Sequence, residues 1–330
     1  MSSYDLINYF VKIYGALFND LWFQLTELFY ITFPISGVKT LIFTPSLIAF
    51  VVSFIASIGG ISGAFILLPF QISVLNYNAP SVSGTNHLFN IFAVPTGIWQ
   101  YIKEKRMVWP LTWIVIIGTL PGILLGTWIR LVYLPNPKNF KLFAATVLLY
   151  IGVKMFTDFR RDKKALAESK NDPPVDFATD FIVTETRFSL KKVEFKFSGQ
   201  YFSFPVLKVS LLCFVVGIIG GIYGIGGGAI APFFVTIFKL PVYAVAGASL
   251  MGTFVTSLAA VILFQILAFF YSNASAAPDW HLGFCFGLGG LFGIYFGTKF
   301  QKYIPAYIIK FILFVFVMFV SIKYFIDFFI

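Results

Sequence analysis

The chain has 330 residues, of which 58% are hydrophobic and only 12% are charged, and its mean hydropathy is +0.87. A soluble domain of this length needs far more polar surface, so the composition indicates a protein whose solvent is lipid. The formal net charge of +10 does not indicate nucleic-acid binding, because the Lys and Arg residues cluster near the ends of apolar segments and in one linker.

Residues 1–39 form the first predicted segment, a set of peripheral amphipathic helices at the membrane surface. Polar side chains recur along it at Asp5, Lys12, Asn19, Asp20 and Glu27, and we expect them to face water. The start of the chain is acidic and has no small-residue cleavage site, so the segment does not resemble a signal peptide.

Apolar runs then alternate with short polar segments, which predicts an all-α polytopic membrane protein. A large soluble core would instead give helices with one charged face, whereas here the charges lie between the runs. The runs cover Leu41–Ile58, Leu88–Ile102, Leu111–Val132, Phe140–Phe156, Val206–Gly221, Leu250–Tyr271, Leu282–Phe300 and Tyr307–Phe325.

The runs form two similar halves, residues 40–160 and 205–330. In each half a tryptophan leads a helix with a GxxxGxxxGT pattern, at Trp109 and again at Trp280. The segment GGISGAFILLPF (residues 59–70) is matched by GGIYGIGGGAIAPFF (residues 220–234), and Gly84 then corresponds to Gly247. Such duplication is common among transporters.

A polar, proline-containing linker of residues 161–204 separates the halves. Its second part alternates apolar and polar residues around a Ser-Gly pair, which predicts a small β-hairpin; a disordered tether is the alternative. Basic residues place this linker in the cytoplasm, together with the loop that contains Lys103, Lys105 and Arg106.

The two repeats are predicted to have opposite orientations in the membrane. The membrane is expected to be the cytoplasmic membrane. The loop of residues 271–281 has no Lys or Arg and is therefore expected outside, although its repeat counterpart is the basic Lys103–Arg106 loop. Arg130, Lys138 and Lys141 then also fall outside, which counts against this orientation. Inversion requires an odd number of crossings per half, so a broken or re-entrant glycine-rich helix joins four full helices to give a 5+5 arrangement.

The two glycine-rich segments are predicted to be helix breaks that bind an anion. A broken helix is tolerated within a bilayer only where it is buried in protein or lines a cavity, and new helix N-termini after Gly63 and Gly228 would favour a negative ligand. The alternative is close helix packing, which we accept for the regularly spaced ridges of Gly118, Gly122 and Gly126 and of Gly289, Gly293 and Gly297. The candidate glycines are Gly60, Gly63, Gly224, Gly226, Gly227 and Gly228.

Polar side chains on the helices after the breaks complete the candidate site. Hydroxyl and amide groups can donate hydrogen bonds to an oxyanion, although they can equally hold neighbouring helices together. These residues are Ser83, Thr85, Asn86, Asn90, Ser249 and Thr253.

His87 is the candidate for proton coupling, because no other His, Asp or Glu can be placed well inside an apolar span. A histidine with a structural hydrogen bond is the alternative. Cys213 and Cys285 belong to no metal or redox motif and are interpreted as packing residues. The chain has no nucleotide-binding, metal or nucleophile motif, so we expect no cofactor, no metal and no enzymatic activity.

Taken together, the duplicated glycine breaks, the GTN and GAS segments (Gly84–Asn86 and Gly247–Ser249) and the Trp-led GxxxGxxxGT helices resemble the TauE/SafE sulfite exporter family. The resemblance covers about residues 40–160 and 205–330. It implies a permease for sulfite, thiosulfate, sulfoacetate or related organosulfonates, often an exporter. The first half has GGISGAF where the second has the glycine-richer GIGGGA, so the halves can contribute unequally.

The expected function is therefore that of a secondary transporter that moves a small sulfur-containing anion by alternating access. Its partners would be this anion, the lipid bilayer and protons or another coupling ion. Three alternatives remain, namely an anion channel, an uptake permease for another small anion, and a non-transporting membrane subunit that docks a partner through the linker.

Overall fold

Helices account for every apolar run in the structure, a computed structural model. It describes residues 27, 29–58, 62–168, 183–189, 191–197, 199–230, 233–234, 237–238, 240, 242–271, 275–300 and 306–329. The first half contains α1 (Thr44–Ile58), α2 (Ala64–Ser73), α3 (Ser81–Lys103), α4 (Trp109–Val132) and α5 (Pro137–Glu168). The second half contains α6 (Val206–Tyr223), a 3-10 helix (Gly226–Ile230), α7 (Val242–Phe270), α8 (Trp280–Phe300) and α9 (Ala306–Phe329). The predicted Trp-led helices begin at Trp109 and Trp280 themselves.

Five of these helices are long and apolar enough to cross a membrane among the described residues. They are Trp109–Val132, Pro137–Thr157, Val206–Tyr223, Ala244–Phe270 and Trp280–Phe300. Their outer faces carry large apolar side chains, such as Ile117 and Phe269, which are 67% and 81% exposed. Apolar surface on this scale requires lipid contact in a stable protein. The prediction of a polytopic helical membrane protein is confirmed.

The described residues contain two small sheets, and the first of them, which was not predicted, lies before α1. Here β1 (Tyr30–Thr32) pairs with β2 (Lys39–Leu41) in an antiparallel hairpin, within the segment predicted as peripheral helices. Gly37 adopts a positive φ of 69° in the connecting turn, and β-branched residues favour the strands. Residues 1–26 of the predicted segment lie outside the described residues.

The linker contains the second sheet. Its strands are β3 (Val183–Phe188), β4 (Lys192–Phe197) and β5 (Gln200–Pro205), paired antiparallel in this order. The β4–β5 pair is the predicted hairpin, with Gly199 at its turn (φ 73°), whereas the strand β3 was not predicted. Val193, Phe195 and Phe197 are buried against α4, α6 and the start of α7, so this sheet belongs to the packed body of the protein.

Both glycine ridges pack helices of different halves together, as predicted. A Cβ atom at Gly122 would overlap the carbonyl oxygen of Phe214, so α4 lies backbone-to-backbone against α6. The second ridge does the same between α8 and α1, where a Cβ atom at Gly289 would overlap the carbonyl oxygen of Ser46. Each half therefore lays its Trp-led helix on the first helix of the other half.

Helices at equivalent positions in the two halves run antiparallel. The start of α3 lies beside the end of α7, where a Cβ atom at Gly84 would be 3.1 Å from the Phe264 ring. The start of α7 lies beside the end of α3, since a Cβ atom at Gly247 would be 3.1 Å from Cβ of Tyr101. In α5 and α9, the ring of Phe156 contacts that of Phe314 and the ring of Phe159 contacts that of Phe311, so the residue numbers rise along one helix as they fall along the other.

We predict that Gly122→Ala lowers the free energy of unfolding by about 1–3 kcal/mol, because the new methyl group meets a backbone carbonyl that cannot move without shifting α6. Gly152→Ala is the matched control, because its methyl group would meet the sulfur of Met318, at the movable end of a side chain, 2.7 Å away. Melting temperatures in detergent measure both variants. Equal melting temperatures for the two variants would contradict the packing of α4 on α6.

Candidate functional site

The first glycine break separates α1 from α2. Helix α1 ends at Ile58, and α2 begins at Ala64 directly after Gly63, as predicted. The Gly63 carbonyl accepts hydrogen bonds from the backbone N–H groups of Ile66 and Leu67, which starts the new helix. Gly60 lies outside the described residues.

The second break follows α6, which ends at a left-handed residue, Gly224, with φ 89°. The backbone N–H groups of Gly224 and Ile225 both donate to the Gly220 carbonyl and close the helix end. Glycine is also required here by space, because a Cβ atom would lie 2.6 Å from the carbonyl oxygen of Ser83.

The second break continues as a 3-10 helix over Gly226–Ile230. Of the residues described after it, Phe233, Phe234 and Ile237 are helical, in agreement with the new helix predicted after Gly228. The positive φ of 64° at Gly226 turns the backbone at that point, so the new turn starts before Gly227 and Gly228. The Gly227 N–H is held by the Thr256 hydroxyl at 3.1 Å.

Asn86 joins the two breaks through one amide group. Its Nδ2 donates to the carbonyl oxygen of Ala64 at 2.8 Å and to that of Gly224 at 3.0 Å. Its Oδ1 accepts a hydrogen bond from Nε2 of Gln71 at 3.1 Å. Tyr223 adds a second link by donating to the Phe65 carbonyl at 3.0 Å. The fold thus brings together the two glycine-rich segments that the sequence places 160 residues apart.

Three other predicted ligands also bond within the protein. The hydroxyl of Ser83 donates to the Ile222 carbonyl at 2.9 Å, and that of Thr253 donates to the Ser249 carbonyl, also at 2.9 Å. The Thr85 hydroxyl accepts from the backbone N–H of Asp279 and lies 3.0 Å from the Tyr77 hydroxyl. In this conformation Ser83 and Thr85 join separate segments of the chain, as the alternative interpretation of the polar stripe states, whereas Thr253 bonds within its own helix α7.

Other buried polar groups near the breaks have no partner. Nδ2 of Asn90 makes no hydrogen bond, although its Oδ1 accepts one from Ser62 at 2.7 Å. The hydroxyls of Ser249 and Ser53 are also buried and unpartnered, and a Cβ atom at Gly63 would be 3.0 Å from Oγ of Ser53. Buried donors without partners are uncommon and require an explanation. Unused N–H and O–H donors suit the oxygens of an anion.

His87 lies beside the second break. Its ring is completely buried, with Nδ1 3.1 Å from the Ser257 hydroxyl, which is itself 3.0 Å from the position of a Cβ atom at Gly226. Nε2 is buried and has no hydrogen-bond partner. The histidine therefore links α3 to α7 at the site.

Arg130 is the residue that the sequence patterns misplace. The predicted topology puts it on the outer side of the membrane, but in the structure it is the largest completely buried side chain of the described residues. A signal was available, since Arg130 is the only arginine inside any apolar run. Asp279 is likewise completely buried, where it caps α8 and accepts two hydrogen bonds from Ser36.

The described residues contain no group of three or more His, Cys, Asp or Glu side chains that could hold a metal ion. Cys213 is a free thiol whose Cβ would lie 2.7 Å from a Cβ atom at Gly118, in the α4–α6 interface. Its role as a small packing residue is confirmed.

Intertwined apolar helices, duplicated halves and paired helix breaks together define a multi-pass membrane protein of transporter type. The family model of the sulfite exporter TauE/SafE family matches residues 46–324, and the chain belongs to this family. A relative in Bacillus subtilis (strain 168), described as probable membrane transporter protein YunE, is 22% identical over 253 residues, which are 74% of this chain and 81% of the relative. No solved structure matches the chain.

The contacts of Asn86 and Ser249 lead to opposite predictions. Asn86→Ala should lower the free energy of unfolding by about 1–3 kcal/mol, because it leaves buried carbonyl groups at both breaks without their donor. Ser249→Ala, the matched control, should change it little, because the Ser249 hydroxyl has no partner to lose. Thermal unfolding in detergent tests both. An Asn86→Ala protein as stable as Ser249→Ala would show that the amide does not hold the breaks together.

Proposed function

We propose that this chain is a secondary transporter that exports a small sulfur-containing oxyanion or organosulfonate across the cytoplasmic membrane by alternating access. The proposed class of substrate includes sulfite, thiosulfate and sulfoacetate. The observation that carries the proposal is the meeting of two glycine breaks around unpartnered buried donors, in a chain that belongs to the TauE/SafE family.

The proposed topology is a pair of inverted five-helix repeats. It is supported by the antiparallel course of equivalent helices, α3 with α7 and α5 with α9. The linker sheet lies at the same end of the bundle as the basic loop, because the Val183 N–H donates to the Lys105 carbonyl. We place this end in the cytoplasm and the loop of residues 271–281 outside.

The chemistry proposed for the site is oxyanion binding by neutral donors. Asn90 and Ser249 each offer an unused N–H or O–H group, and the backbone beside Gly63 and Gly226–Gly228 can add others as the breaks rearrange. None of the described residues that form the hydrogen bonds at the two breaks is an Asp or Glu. Glycine flexibility at the breaks gives the alternation between two access states a physical basis.

His87 is proposed to couple transport to protons. Its unbonded Nε2 beside the second break gives a proton a place to bind next to the substrate, and a neighbouring anion favours the protonated ring. Proton binding and anion binding at adjacent positions would then assist each other.

Flux measurements in proteoliposomes test the transporter. We expect saturable uptake and release of labelled sulfite, thiosulfate or sulfoacetate, accelerated by substrate on the opposite side. Asn90→Ala combined with Ser249→Ala should reduce this flux at least tenfold, because the variants remove two unpartnered donors, Nδ2 of Asn90 and the Ser249 hydroxyl. Asn90→Ala also removes the acceptor of the Ser62 hydroxyl, so its melting temperature is measured beside the flux. Gly152→Ala, which changes the contact between α5 and α9 at Met318, is the control and should retain the flux.

The outcomes separate the alternatives. Flux that does not saturate and shows no acceleration by substrate on the opposite side would identify a channel, and the absence of anion flux would refute the proposal. In the same vesicles, His87→Gln should remove the dependence of flux on an imposed pH gradient. If the flux of His87→Gln still depends on the pH gradient, His87 has a structural role and does not couple transport to protons.

A further inference from the structure

Arg130 lies beside the second glycine break, although no part of the glycine pattern includes it. The ridge of Gly118, Gly122 and Gly126 packs α4 along α6, so the next turn of α4 faces the end of α6. Near the end of α6, the Nε group of Arg130 donates to the Ser83 hydroxyl at 3.2 Å, and that hydroxyl donates to the Ile222 carbonyl. One hydroxyl therefore separates the guanidinium group from the backbone that leads into Gly224.

The guanidinium group is firmly held but incompletely bonded. One terminal nitrogen, NH1, donates to the Leu134 carbonyl, and the planar group lies over the Phe140 ring with its central carbon 3.8 Å from the ring centroid. The other terminal nitrogen, NH2, is buried and has no hydrogen-bond partner. Among the described residues, no Asp or Glu forms an ion pair with Arg130.

A buried guanidinium group without a counter-ion is costly, because it loses its hydration and gains no ionic partner. The carbonyl groups at the ends of α4 and α6 compensate part of the charge, through Leu134 directly and through Ser83 to Ile222. They leave both hydrogens of NH2 unused. An anion would supply the missing charge and the missing acceptors at once.

Thr127 offers a second unused donor on the same face of α4, three residues before Arg130. Its hydroxyl is completely buried and has no partner. Its counterpart in the second half, Thr298, donates in the usual way to the Ile294 carbonyl one turn earlier at 2.8 Å. The threonine of the first half thus leaves its hydroxyl available beside Arg130.

The second half has no equivalent arrangement in its described residues. In the repeat register that aligns Gly84 with Gly247, Ser83 and Thr85 correspond to Ala246 and Ala248, which are buried and apolar. The position that corresponds to Arg130 is Gln301 in the sequence. At this position of the repeat, only the first half has a basic residue in the sequence.

We propose that Arg130 is a substrate-binding residue that coordinates an oxygen of the transported oxyanion through NH2, with the Thr127 hydroxyl as a second donor. This inference rests on the proposed function, since it assigns the charge recognition of the same site. It explains how a site made of neutral donors selects an anion. The neutral donors at the breaks fix the oxygens, and Arg130 supplies the positive charge from the side of the first repeat.

Anion affinity of the purified full chain tests this role. Dissociation constants for sulfite, thiosulfate and sulfate are measured by calorimetry or by thermal shift, because only binding to the folded state raises the melting temperature. Arg130→Gln should weaken binding about 10- to 100-fold, as expected for the loss of a charge-assisted hydrogen bond. Arg130→Lys should weaken it less, since it keeps the charge but loses the planar fork. Thr127→Val, which preserves shape, should weaken it several-fold.

Arg106→Gln is the matched control. Arg106 is also a buried arginine and stacks on an aromatic ring, that of Tyr101, but it already has an ionic partner in Glu104. It lies at the opposite end of α3 from Ser83. Its replacement should leave anion affinity within about twofold of the wild-type value.

An affinity of Arg130→Gln within about twofold of wild type would overturn the proposal. If that variant does not fold, Arg130→Lys decides, and an unchanged affinity there overturns the proposal equally. Failure of the proposed function looks different, because wild-type vesicles would then carry no sulfur oxyanion. A loss of anion binding in Arg130→Gln under that outcome would still support an anion site at Arg130.

Discussion

The amide of Asn86 is the interaction on which the rest of the site depends. One nitrogen donates to the first residue after one helix break and to the last residue before the other. Both breaks expose backbone groups that lipid cannot satisfy, so each requires a partner inside the protein. Because a single side chain serves both, a movement of either break is felt by the other. That coupling is a physical route by which two halves of a transporter can change access together.

The helices around this interaction are closely packed. The glycine ridges bring α4 onto α6 and α8 onto α1 at backbone contact, so each half is fixed to the other half's first helix. Immediately beyond these ridges lie the two breaks, where α1 ends at Ile58 and α6 ends at Gly224. In the proposed transport cycle, motion would be confined to the breaks at the ends of these closely packed helices. Arg130 and His87 are both completely buried.

Much of this architecture can be predicted from sequence, because periodic signals encode it. Gly122 and Gly293 recur every fourth residue and predict close packing, and Trp109 and Trp280 mark the starts of equivalent helices. No periodic sequence pattern predicts which groups become hydrogen-bond partners. Ser83 and Thr85 match an anion-binding pattern, yet in the structure they bond to Ile222 and Asp279 from the other half. The burial of Arg130 also depends on how α4 meets α3 and α5, which a charge count along the chain does not include.

A bound oxyanion tests the central claim most directly. Selenate is a heavy analogue of sulfate that anomalous scattering can locate in crystals of the full chain. We predict a selenate between the breaks at Gly63 and Gly224, with an oxygen about 3 Å from Nδ2 of Asn90. Selenate found only at the protein surface, with both breaks and the contacts of Asn86 unchanged, would contradict the assignment of the glycine breaks as the binding site.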